Sequence, residues 1–134
     1  MKQSSYSIGC AQGKLRAIAG DHFITLPIKV KKSDVASLLD ANEVLKAGTL
    51  LNKDGKAVTT TTGTPATTNA YGIVYEDVSF KGSMSADGIP GNATEVVSLF
   101  VHGVVYESEV KFSVNTVVGG KDAEKAALKQ ILFV

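Results

Sequence analysis

The sequence predicts a mainly β (α+β) fold: a small β-barrel or sandwich-like body with long loops, one C-terminal helix and an extended N-terminal arm. Three observations lead there. Apolar and polar residues alternate at period two from Phe23 to Lys31, which is the spacing of a strand with one apolar face. Two later segments, 70–78 and 95–107, are dense in β-branched and aromatic residues, which pack well on a pleated surface. Good helix formers are concentrated in one run, 122–130. The chain has 134 residues, 44% of them hydrophobic and 20% charged. A chain of that size buries roughly two-thirds of its unfolded surface, enough for one core without crosslinks. Mean hydropathy of +0.11 excludes global disorder. No apolar run approaches the roughly 20 residues needed to cross a bilayer, and no membrane partner is expected.

Taken in order, residues 1–22 show neither helical nor strand periodicity, and Gly9, Gly13 and Gly20 interrupt regular structure. An extended segment is expected there. In the strand that follows, Ile24, Leu26, Ile28 and Val30 form the apolar face; Pro27 cannot donate a ladder hydrogen bond, which places the strand at a sheet edge. Ser33 and Asp34 are positioned to cap a short helix running to Asp40, with Val35, Leu38 and Leu39 on one side. Residues 46–51 lead into Asn52-Lys53-Asp54-Gly55-Lys56, whose Asp-Gly supplies a tight hairpin turn, and Ala57 and Val58 begin the return. Thr59 to Asn69, rich in threonine, is a low-complexity polar loop without core positions. The near-continuous apolar character of 95–107 predicts burial on both faces, with Gly103 at a bulge or bend. Asp122 is the expected N-cap of the helix through Gln130. Ile131 to Val134 close the chain with four apolar residues, expected to pack on the sheet or against another subunit.

The net charge of +1 conceals an asymmetry. Through Ser33 there are six basic residues and one acid, a balance of +5; the remainder carries −4. Residues 1–33 therefore read as a basic arm with its edge strand, and 34–134 as a single β-rich domain. A basic leader suits nucleic acid, an anionic surface or an acidic protein. Only Tyr6 and Phe23 lie in it, without the interleaved aromatics that stack bases, so a protein partner is the expected one. No apolar signal core follows Lys2, and the single Cys10 has no internal partner for a disulfide; folding in a reducing cytoplasm is the expectation.

Catalytic and metal chemistry finds little support. A phosphate-binding loop at Asn115–Asp122 retains only Gly120-Lys121, and a calcium loop at Leu50–Thr61 lacks both its first carboxylate and its terminal glutamate. Cys10, His22 and His102 are separated in sequence; His102 reads as a partly buried strand residue. Glu107 and Glu109 would share a strand face, with Glu76 on another strand, but paired surface acids are commonplace. There is no Gly-x-Ser-x-Gly elbow. Asn92-Ala93-Thr94 matches a glycosylation sequon without the secretory signal that would bring it to the enzyme. No cofactor or metal and no enzymatic activity is expected.

The order and spacing of five segments carry a resemblance: 46–51, the 52–56 turn, Ala70-Tyr71-Gly72-Ile73-Val74-Tyr75-Glu76-Asp77-Val78, Val101-His102-Gly103-Val104-Val105-Tyr106, and 128–134. Across roughly residues 46 to 134 the chain resembles the head decoration, or capsid cement, proteins of tailed bacteriophages, the family of the lambda head decoration protein. The resemblance implies a structural virion protein made in the host cytoplasm and placed on the outer capsid surface. It also implies homotrimers at three-fold and quasi-three-fold sites, bound to the major capsid protein. In that reading Tyr6, Ile8, Leu15, Arg16, Ile18, Phe23, Ile24, Leu26 and Ile28 belong to the capsid-binding arm. Val101, Val104, Tyr106, Ile131, Leu132 and Phe133 supply core and trimer contacts. The alternative from the residues alone is a small β-barrel module for nucleic acid or an anionic ligand.

Overall fold

The computed structural model describes Leu15, Arg16 and residues 22–113 and 118–134. Tyr6, Ile8, Cys10 and Ile18, and most of the segment expected to be extended, lie outside them. Along the chain come β1 (Ile24–Lys31), β2 (Val44–Leu45), β3 (Leu50–Leu51), β4 (Thr60–Thr61), β5 (Thr67–Thr68), β6 (Gly72–Val74), β7 (Val78–Ser79), β8 (Thr94–Val105), α1 (Gly120–Ala127) and β9 (Ile131–Phe133). The expected mainly β fold with one C-terminal helix is found. The main sheet has the order β1-β8-β6-β3, and β9 joins β8 in parallel; β2 pairs with β7, and β4 with β5.

The long strand β8 organises this sheet because both of its faces carry apolar residues. Register fixes the faces: Leu50 lies opposite Ile73, and Ile73 opposite Phe100, on one side. Leu51 opposite Gly72, and Val74 opposite Leu99, lie on the other. Each side has its own core. Leu15, Leu50, Ile73, Phe100, Val105, Val110, Leu128 and Ile131 form the first. Val30, Val35, Leu45, Leu51, Val74, Phe80, Val97 and Leu99 form the second. Two-sided burial of β8 was the sequence expectation, and the alternation of partners explains it.

At its far end the β1–β8 ladder is broken by a bulge. Thr25 faces Phe100 while Ile24 faces His102, so Val101 is the extra residue. Gly103 follows with φ +139°, and a Cβ there would stand 2.6 Å from Cζ of Phe100, so only glycine fits. β1 is an edge strand, as Pro27 suggested. The sheet also curls. Gly55, in the turn after β3, sits so close to β1 that a Cβ would be 3.0 Å from the Lys29 carbonyl oxygen, although β1 and β3 are at opposite ends of the strand order. No closed barrel forms among the described residues.

Local expectations are met unevenly. The 52–56 turn closes as read: the Asn52 N–H donates to the Lys56 carbonyl at 3.0 Å, and Asn52 Oδ1 accepts from the N–H groups of Asp54 and Lys56. Its return is only a single bridge between Leu51 and Ala57. The 33–40 helix is replaced by two 3-10 turns, Lys32–Asp34 and Ala36–Leu38, without side-chain caps. Tertiary burial of Val35, with Leu38 and Leu39 packed against the second core, overrides helical propensity there. The C-terminal helix starts two residues before Asp122. Gly119, at φ +73°, is its N-cap, and Asp122 lies in the first turn, where its charge still complements the helix dipole.

The largest departure is the threonine segment. It is a hairpin rather than a loop, with Thr60 opposite Thr68 and Thr61 opposite Thr67, and it packs on α1. The reason is Glu124, a fully buried carboxylate. Its Oε1 accepts from the Thr60 hydroxyl at 2.8 Å and its Oε2 from the Ser113 N–H at 3.0 Å. A carboxylate only accepts, so the Thr60 hydroxyl proton points to Glu124 and the Thr68 hydroxyl must donate to Thr60, 2.9 Å away. Thr68 in turn accepts from the Ala70 N–H. Hydroxyls that looked like loop polarity form a directed chain ending on a buried acid.

Candidate docking surface

The residues read as an arm divide between the core and the surface. Leu15 is 3% exposed and belongs to the first core. Its carbonyl accepts from the Tyr106 N–H at 3.0 Å, and Arg16 bridges Val105. The Arg16 guanidinium lies 4.2 Å above the ring of Phe23, which stacks with Tyr75 and Phe100 at centroid distances of 5.5 and 6.1 Å. Leu15, Arg16 and Phe23 are therefore structural parts of the body, and β1 is an integral strand of its sheet rather than an appendage. The basic leader and the fold are not separable at Ser33. What the sequence lacked was register: Leu15 and Arg16 continue the β1 side of β8 past the bulge.

Ile24 and Leu26 are 50% and 41% exposed, while Ile28 is half-buried. Among the described residues the edge is open at this end, whereas the 52–56 turn rests on Lys29 further along. Among the residues expected at core or subunit contacts, Ile131 is core, and Val101, Val104 and Phe133 are half-buried. Phe133 packs against Phe112 and under the Lys125 ammonium. Tyr106 and Leu132 are exposed, at 40% and 62%.

Pairing and alternation sort these residues by face. Ile24 is opposite His102, Leu26 is opposite Leu99, and Val104 is beside Leu132. All lie on the face of the second core, beyond the point where that core is covered. Here a depression of about 400 Å³ is lined by His22, His102, Gly103, Val104, Lys129, Gln130, Ile131 and Leu132. His102, expected to be partly buried, is exposed, and its Nδ1 lies 3.2 Å from Gln130 Oε1. The bulge turns it outward, and no one-residue pattern in the sequence marks that. His22, His102 and Lys129 come from separate segments and carry no shared motif.

Other candidates resolve differently. Among the described residues no group of three or more His, Cys, Asp or Glu could hold a metal. Glu107 and Glu109 lie in a 3-10 turn rather than on a strand face. Glu107 pairs with Lys121 and with Lys125 at 3.4 Å. The hydrogen bond from Lys121, outweighing desolvation, holds its carboxyl below the usual carboxylate range. That carboxylate is a tether for α1, not half of an acid–base pair. A groove of about 680 Å³ between the threonine hairpin and α1 is lined mainly by Pro65, alanines and threonines, with Asp122 the one charged residue.

Asp87 organises the long loop before β8. Its carboxylate accepts from the Ser85 hydroxyl, the Ile89 N–H at 3.0 Å and the Asn92 side-chain amide at 2.7 Å, which together lower its pKa to about 2, the Ser85 bond most. A depressed carboxyl pKa stabilises above the unfolded value and loses that contribution as pH falls through the folded one. Order in 85–92 is therefore expected to persist at mildly acidic pH and decline only as pH approaches about 2. An NMR titration of the Ile89 amide checks this; a midpoint near the ordinary aspartate value contradicts it.

The arrangement is a mainly β domain in which, among the described residues, one end of a sheet edge is open and an apolar face beside it is uncovered. No family model matches the chain, and no curated protein or solved structure matches it.

Proposed function

We propose that the protein is a structural capsid decoration protein of a tailed bacteriophage. It binds the outer surface of the mature head as trimers at three-fold and quasi-three-fold sites, contacts the major capsid protein through its N-terminal arm, and stabilises the shell without enzymatic activity. The observation that carries this reading is the open end of β1. An edge strand continuing directly from the basic leader leaves Ile24 and Leu26 exposed, and an exposed edge recruits a partner strand through backbone hydrogen bonds. Exposed Leu132 and Val134 beside half-buried Val104 supply apolar surface for self-association. Many weak contacts on one closed shell add to a large resistance to rupture.

The test is a deletion that spares Leu15. A chain lacking residues 1–13 is expected to stay folded and trimeric and to lose binding to undecorated expanded heads, read by electron microscopy and by mass in solution. Normal occupancy by the truncated chain overturns the arm mechanism. A second reading, a module for nucleic acid or an anionic ligand, draws on Lys29 and Lys31, which point away from the second core and form no ion pair among the described residues. It requires DNA binding that weakens steeply with salt.

A further inference from the structure

We propose that the depression lined by His22, His102 and Lys129 is a docking site for an extended protein segment that alternates aliphatic and acidic residues. The inference concerns partner chemistry and stands whether or not the partner is a capsid subunit. The floor is aliphatic: Val104 is half-buried and Leu132 is 62% exposed. Ile24, 50% exposed, lies on the same face opposite His102. The rim is cationic or hydrogen-bond donating, with two imidazoles, the Lys129 ammonium and the Gln130 carboxamide.

Charge complementarity selects the occupant. No carboxylate lines the depression among the described residues, and Lys129 forms no ion pair among them. When His102 Nδ1 donates to Gln130 Oε1, at 3.2 Å, the carboxamide N–H groups of Gln130 remain available as donors. A carboxylate placed here meets the Lys129 ammonium and neutral hydrogen-bond donors, while a lysine would meet repulsion. The aliphatic neighbours of that carboxylate would cover Val104, Leu132 and Ile24.

The test uses the full chain and a blocked short peptide alternating valine with glutamate, compared with its valine–glutamine counterpart. The acidic peptide is expected to shift the imidazole signals of His22 and His102 and the methyl signals of Val104 and Leu132. Its affinity is expected to exceed that of the glutamine peptide by about tenfold. Lys129→Ala and His102→Gln should each reduce it about threefold to tenfold with unchanged circular dichroism, as expected for exposed positions. Equal binding of the two peptides, or His22 and His102 signals unmoved at millimolar acidic peptide, overturns the proposal. Head decoration retained by Lys129→Ala would leave the capsid reading intact and move this site to a different protein partner.

Discussion

Replacing Glu124 with alanine is expected to cost about 2–3 kcal/mol of folding stability, because it strips the acceptor from a buried network rather than removing one exposed contact. Glu124 has no exposed surface and is held by Thr60 and the Ser113 N–H. Without it, the Ser113 donor loses its partner, the Thr60 hydroxyl loses its fixed orientation, and α1 separates from the threonine hairpin. Glu124→Gln keeps the volume but presents an NH₂ group to one of two donors, so an intermediate loss is expected. Chemical denaturation measures both, and a double-mutant cycle with Thr60→Val isolates the coupling. A loss below about 0.5 kcal/mol for the alanine variant, within the range of ordinary surface changes, contradicts a structural role for the network.

Phe100→Ala is expected to be more severe, about 3–5 kcal/mol, with Tm lower by on the order of 10 °C or more. Phe100 is fully buried in the middle of β8, and its ring stacks against both Phe23 and Tyr75, the latter at 5.9 Å. Its loss opens a cavity at the junction of β1, β6 and β8 and removes the support under the Arg16–Phe23 contact. Leucine at the same position restores part of the volume and should recover part of the stability. Because Phe23 packs directly on the Phe100 ring, hydrogen exchange in Phe100→Ala should rise first at Phe23 and Thr25. Uniform protection across β1 in that variant would argue against the stack as the anchor of this region.

Much of the architecture was legible because it depends on patterns with a fixed period. Alternation from Ile24 to Val30 produces β1, and Pro27 restricts it to an edge. Continuous apolar character produces β8, and Asp54-Gly55 produces the turn. What misled was polarity taken as a sign of looseness. Thr60 and Thr68 are hydroxylated residues in a strand pair, and the chain they form ends on the buried Glu124, 64 positions beyond Thr60. Leu15 sat in a glycine-interrupted stretch with no periodicity, so nothing local distinguished a core residue from an arm residue. His102 was judged from an apolar neighbourhood, whereas a bulge one residue earlier reverses the side on which it stands.

The sequence by itself determined the fold class, the edge position of β1, the two-sided burial of β8 and the presence of a C-terminal helix, since each follows from local spacing and composition. Only the tertiary structure decided which parts of the basic leader belong to the body, how the threonines are held, and which end of β1 stays open. Those depend on strand register, on the curl that brings Gly55 against Lys29, and on a buried carboxylate, all of them meetings between residues far apart in the chain.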